Sequence, residues 1–228
     1  MIAVQVDAAR EQVRIAAERA HRDPSSIAVI AVTKTVAAER VQEAVAAGIT
    51  DIGENRVQEA LDKQTMLTNL DVRWHLIGHL QGNKAGRAAR AFDVIHTISS
   101  EHIASALGAR RGSDLPALPV LIEVDFTMGA SRTGALVEDA PKVVASVLAQ
   151  PLLTLQGLMT VAPQAGDDER RKVFRQLALL RAEFEQRHGI PLPVLSMGMS
   201  DDFALAVEEG ATHVRLGRFI FGTRPPAI

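Results

Sequence analysis

Lys34 stands apart from the other four lysines of the chain. Lys63, Lys84, Lys142 and Lys172 fall in polar helical or helix-proximal segments, where solvated ammonium groups are ordinary. Lys34 alone directly follows a strongly apolar run, Ile27 to Thr33. Burial disfavours a charged amine and lowers its pKa, which a lysine needs if it is to form a Schiff base near neutral pH. A strand-end lysine that snorkels to solvent is the plainer alternative. The segment LSMGMSDD at 195 to 202 offers the hydroxyls of Ser196 and Ser200 and the close backbone approach that Gly198 permits. Ser200 and Asp201 mark a helix start, where exposed amides bind anions, although serine before acidic residues is also an ordinary cap. Gly217 follows the next apolar run and would bring a second loop to the same place. Arg215, in HVRLG, either reaches solvent at a rim or faces something polar inside, and the second is favoured. A guanidinium only donates, so opposite a pyridine nitrogen it would favour the unprotonated ring, a poorer electron sink.

Other groups carry less. His75 and His79 have the i, i+4 spacing of helical zinc ligands, but 73 to 77 reads as a strand, Gly78 breaks any helix and no third ligand is near, so no metal is expected. GASRTG at 129 to 134 resembles a phosphate-cradling loop in composition only and reads as a flexible connection. Lys84, Arg87 and Arg90 read as one solvated helical face. The 228 residues contain no cysteine, which excludes disulfides, thiolate metal sites and a cysteine nucleophile, and no tyrosine, which removes phenol acids and bases. With 25 basic and 27 acidic residues the net charge is −2, which gives no bulk attraction for nucleic acid.

The elements that must position these groups alternate along the chain. An amphipathic lead-in helix over 1 to 22 carries Val4, Val6, Val13, Ile15, Ala16, Ala17 and Ala20 near one stripe and stops at Asp23-Pro24. Strand-like runs then follow at 27–33, 50–52, 73–77, 93–98, 119–126, 153–159, 194–197 and 213–216. Helical patterns separate them at 37–47, 55–69, 81–91, 100–111, 137–149, 167–188 and 201–209. Several strands are continuously apolar, as when both sheet faces are covered. Eight such units predict an α/β fold, a single (β/α)8 TIM-type barrel with an extra N-terminal helix, occupying 1–228 as one domain. A doubly wound open sheet is the rival, but no GxGxxG follows the first strand. In a barrel the working groups sit at the C-terminal strand ends, where Lys34, Asn55, Ser200 and Gly217 fall. No basic leader precedes an apolar stretch and no apolar run approaches the roughly 18–20 residues of a membrane span, so a soluble cytoplasmic protein is expected.

Taken together, AVTKT at 31 to 35, IGENRVQE at 52 to 59, WHLIGHLQGNK at 74 to 84, HTISS at 96 to 100, GLMT at 157 to 160, LSMGMSDDFALAVEEGATHVRLG at 195 to 217 and FGTR at 221 to 224 resemble the pyridoxal-phosphate homeostasis protein family over nearly the whole chain. The resemblance implies a barrel similar to the N-terminal domain of alanine racemase that binds pyridoxal 5′-phosphate without an established turnover reaction. Carried over position by position, it makes Lys34 the Schiff-base lysine, lines the cofactor with Asn55 and His75, assigns the phosphate to Ser196, Gly198, Met199, Ser200 and Gly217, and turns Arg215 to the pyridine nitrogen. The family often carries Ser at Thr33, Tyr at Arg56, Pro at His79 and Thr at Arg218. Arg218 matters most, since that threonine would be close to the phosphate: its backbone amide serves instead, its guanidinium adds a contact, or the chain turns it away.

Two functions follow from that resemblance. A binding protein would hold the cofactor and buffer it or deliver it to pyridoxal-phosphate-dependent apoenzymes, acting as a monomer. A slow amino-acid racemase is the alternative, but on this scaffold racemisation normally needs a tyrosine from a C-terminal domain opposite the lysine. The binding role is therefore expected, with no catalytic residue assigned.

Overall fold

The protein is described by a computed structural model that covers residues 1–127 and 133–223. The elements are helix α1 (Ile2–Arg19), β1 (Ala28–Val32), α2 (Ala38–Ala46), β2 (Asp51–Glu54), α3 (Val57–Met66), β3 (Arg73–Leu76), α4 (Ala85–Ala91), β4 (Val94–Ile98) and α5 (Glu101–Gly108) in the first half. The second half holds β5 (Leu118–Asp125), β6 (Ala135–Leu136), α6 (Ala140–Leu148), β7 (Leu153–Met159), α7 (Asp167–His188), β8 (Val194–Met199), α8 (Phe203–Glu208), β9 (His213–Leu216) and α9 (Arg218–Phe221). All strand pairings are parallel, in the order β4-β3-β2-β1-β9-β8-β7-β5, and β4 also pairs with β5. That last pairing closes eight strands into a barrel surrounded by helices. Closure leaves no free sheet edge among these eight, the usual liability of an open sheet.

The expected barrel is therefore the observed one, and its departures from expectation are local. The two-residue β6 lies parallel to the end of β5 and is too short to give a periodic signal. A 3-10 turn at Gly82–Lys84 occupies the start of the expected 81–91 helix. On α1 the buried residues are Ile2, Val6, Ala9, Val13, Ala16 and Ala17, while Val4 is exposed. The buried set runs at spacings of three and four, and Val4 lies off that stripe. α1 packs against α2, α8 and α9, and Arg10 donates to the carbonyl oxygens of Ala47 (3.1 Å) and Gly48 (2.7 Å) at the end of α2. The lead-in helix thus ties the first unit to the last. Among the described residues no helix is long and apolar enough to cross a membrane.

Candidate functional site

The C-terminal strand ends open on a cavity of about 320 Å³. Val32, Ile77, Val161 and Met199 supply apolar walls, and Lys34, Asn55, Ser200, Arg215, Gly217 and Arg218 supply polar groups. Seven residues singled out in the sequence, Lys34, Asn55, Met199, Ser200, Arg215, Gly217 and Arg218, thus meet in one place although they come from β1, β2, β8 and β9 units. A larger cavity of about 490 Å³ lies at the opposite end of the barrel, lined by Arg10, Arg14, Asp51 and Arg73 among others. It contains no C-terminal strand end.

The backbone carrying Lys34 is pinned on both sides. Thr33 donates its hydroxyl to Glu54 Oε1 (2.5 Å), and its carbonyl oxygen accepts from Lys63 Nζ. Thr35 has a positive φ of 61°, costly for a β-branched residue, and its amide donates to Glu59 Oε1. Lys63 Nζ bridges the two carboxylates, at 2.6 Å from Glu54 and 2.8 Å from Glu59. Lys63 is therefore no solvated helix lysine, as its polar surroundings in the sequence suggested, but a buried cation with two acidic partners. Burial pushes the Glu54 carboxyl up, against the hydrogen bonds from Lys63 and Thr33. Burial also raises Glu59, but the Lys63 and Thr35 bonds more than offset it and leave that carboxyl below its ordinary value. In the sequence Lys63 and Glu59 look like the charged face of α3 while Glu54 ends β2, so nothing there joins the three.

Beneath the pocket floor the barrel interior is polar. Arg215 is buried, donating from Nη1 to Ser196 Oγ (2.8 Å) and from Nη2 to the Thr160 carbonyl oxygen (2.9 Å). Burial lowers its pKa to about 10, against the raising charges of Glu123 and Asp202, so it is a cation at neutral pH. Ser196 Oγ lies 2.9 Å from His96 Nδ1, His96 Nε2 lies 2.9 Å from His75 Nδ1, and His75 Nε2 lies 2.9 Å from Asp51 Oδ1. β4 and β8 are not neighbours in the sheet, so the His96 to Ser196 contact crosses the barrel lumen. Ser196 and His75 are both buried below the pocket wall, and the Ser196 hydroxyl contacts Arg215 and His96. Burial holds His96 well below the ordinary imidazole value, with His75, His213 and Arg215 acting in the same direction. His96 carried no assigned role in the sequence, since a histidine in an apolar strand looks like a packed core residue. Among the described residues no group of three His, Asp or Glu side chains is arranged to hold a metal ion.

The two loops after β8 and β9 are fitted together. Gly198 has φ +91°, and a Cβ there would stand 2.6 Å from the Ala206 Cβ and 2.9 Å from the Phe203 Cα, so this position needs glycine. The Met199 amide donates to Asp202 Oδ1 (2.6 Å), and Ser200 Oγ accepts from the Phe219 amide (3.2 Å). Arg218 directs its guanidinium to the Asp201 carboxylate at the rim while the residue still lines the cavity. On the opposite wall a Cβ on Gly78 would lie 2.3 Å from the Asn55 carbonyl oxygen, so the β3 loop presses directly on the segment that carries Asn55. The GASRTG stretch at 129 to 134 and Arg224 of FGTR lie wholly or partly outside the described residues.

The arrangement can hold an anion, an aromatic ring and a carbonyl compound together: glycine and serine in two loops, apolar walls, an amine at Lys34 and a fixed guanidinium beneath. Comparison with known proteins agrees. A family profile described as alanine racemase, N-terminal domain, matches residues 4–225. A protein of Pseudomonas aeruginosa named pyridoxal phosphate homeostasis protein is 40% identical over 224 residues, covering 98% of this chain and 96% of its own. PipY of Synechococcus elongatus, solved both without pyridoxal phosphate and with it bound, is 36% identical and covers 97% of this chain and 100% of its own, with TM-scores of 0.89 and 0.87. An alanine racemase from Corynebacterium glutamicum, 22% identical with a TM-score of 0.66, shares the fold across 97% of this chain and 62% of its own. The chain therefore belongs to the alanine racemase N-terminal domain family and, within it, to the pyridoxal phosphate homeostasis proteins.

Proposed function

We propose that this chain binds pyridoxal 5′-phosphate at the mouth of its barrel, attached covalently to Lys34, and holds it for buffering or delivery to apoenzymes. The observation that carries the reading is that Lys34 and Arg215 open on one cavity with two glycine-containing loops, in a chain 36% identical to a relative solved with this cofactor. When bound, the cofactor supplies an aldehyde that condenses with amines. The residues present suit it. Lys34 offers the amine, and its backbone is held in place by the Thr33 and Thr35 contacts. Asn55 and the apolar side chains of Val32, Ile77 and Val161 flank the ring space and exclude water. Ser200, Met199 and Gly217, shaped by Gly198, form the anion end, and Arg218 adds a charge held beside it by Asp201.

Arg215 supports a holding role over turnover. Its buried guanidinium has hydrogens to donate and no lone pair with which to accept one, so it leaves a facing ring nitrogen unprotonated and the ring a weak electron sink. The chain also lacks tyrosine, and no phenol of its own can stand opposite Lys34. Borohydride reduction of the loaded protein followed by peptide mass mapping is expected to place the pyridoxyl group on Lys34. A label on another residue, or turnover of any amino acid at about 1–1000 per second in a stereochemical assay, would overturn the proposal.

A further inference from the structure

The contacts from Arg215 to Asp51 run the depth of the barrel, and their two ends fix every proton between them. Arginine can only donate, and an ionised carboxylate can only accept. Burial raises the Asp51 carboxyl, but bonds from His75, Thr50 and Arg73 more than offset it and keep the group ionised. With one hydrogen on each imidazole ring, one arrangement satisfies all members. Arg215 Nη1–H donates to Ser196 Oγ, and the serine hydroxyl donates to His96 Nδ1. His96 Nε2–H donates to His75 Nδ1, and His75 Nε2–H donates to Asp51 Oδ1. Reversing the middle of the chain would place a hydrogen on His96 Nδ1. Ser196 Oγ would then receive two donors while its own hydrogen found no acceptor among the described residues, and His75 would have to carry both ring hydrogens. A buried donor left without an acceptor is strongly unfavourable, which selects the first arrangement. His213, whose ring centroid lies 6.4 Å from those of His75 and His96, completes the aromatic packing around the column and bonds instead to Thr212 Oγ1.

We propose that Asp51, His75 and His96 are positioning residues: through Ser196 they hold the Arg215 guanidinium in the orientation it presents to the pocket at the other end of the barrel. Each hydrogen in the column points toward Asp51, so each lone pair points toward Arg215, and such aligned bonds strengthen one another. The inference rests on the cofactor-binding reading above only for what Arg215 faces.

Two measurements test it. In the ligand-free wild-type protein, 15N-detected NMR of the imidazoles is expected to find His75 and His96 both as the Nε2–H tautomer, and a hydrogen on His96 Nδ1 would overturn the column as drawn. In loaded protein, Asp51→Leu removes the terminal acceptor and is expected to weaken pyridoxal 5′-phosphate binding about tenfold and to shift the absorption maximum of the bound chromophore. Asp51→Asn, which keeps an acceptor oxygen, is expected to restore most of both. A folded Asp51→Leu or Ser196→Ala protein with unchanged affinity and spectrum would sink the positioning role. If wild type took up no cofactor, the functional reading would fail, while the tautomer measurement would still decide the column.

Discussion

Thr35 holds a left-handed backbone that costs a residue of its type about 1–3 kcal/mol, and it does so beside the lysine on which the proposed chemistry depends. Lys63 stabilises that geometry by drawing Glu54 and Glu59 together. Replacing it as Lys63→Met leaves Glu54 a buried, unpaired carboxylate, and urea unfolding should show a loss of about 3–5 kcal/mol. Lys84→Met, at a lysine with no carboxylate within ion-pair distance among the described residues, is expected to stay within about 0.5 kcal/mol. The sequence ranks these two lysines alike, because both sit among polar helical residues. Lys34 was legible because an isolated lysine after an apolar strand is uncommon, and Arg215 because a strand arginine between Val214 and Leu216 is too. Lys63, His96 and Asp51 were not. Glu59 lies one turn from Lys63, but Glu54 lies 9 residues from it on β2, His75 lies 24 residues from Asp51 and Ser196 lies 100 from His96, and only the folded barrel brings these together.

At the scale of elements, period and punctuation located every one of the eight barrel strands, since buried parallel strands are short, apolar and separated by amphipathic helices. Boundaries were less legible where a turn imitates a helix, as at Gly82–Lys84, or where pairing is set by a distant partner, as for β6. The end of β8 shows how the entry to a loop can be fixed by one absent methyl. Gly198→Ala adds a Cβ against the Phe203 backbone in a conformation that disfavours alanine. A loss of about 2–4 kcal/mol is expected by urea unfolding. Because the same segment carries Met199 and Ser200, affinity for pyridoxal 5′-phosphate should fall with it, even under conditions where the variant remains fully folded.

For the whole molecule, the polar interior makes the barrel sensitive to acid. Burial lowers the His213 pKa to about 4 from the ordinary 6.5, with His75, Arg73 and Arg215 in the same direction and Asp51 opposing. As pH falls from 6.5 to 4 the unfolded chain takes up a proton at this position that the folded chain refuses, so stability declines, by about 3 kcal/mol from this site. His96 declines in the same sense, and Asp51, whose folded pKa is depressed, adds a loss only below about pH 4. Chemical unfolding across pH should therefore show wild type weakening below pH 6.5, and His213→Met should remove its share of that slope. An unchanged slope would mean that His213 takes up its proton without unfolding. The buried Lys63 clamp has a last consequence, for chemoselectivity. A carrier of a reactive aldehyde is itself a potential target, and this chain has only five lysines against twenty arginines, whose guanidinium groups do not condense readily with aldehydes. With Lys63, the buried lysine among the described residues, shut between two carboxylates, the interior would offer the aldehyde no rival amine to the proposed Lys34. The clamp that braces the Lys34 backbone would thus also keep a protein loaded at the proposed lysine from derivatising its own core.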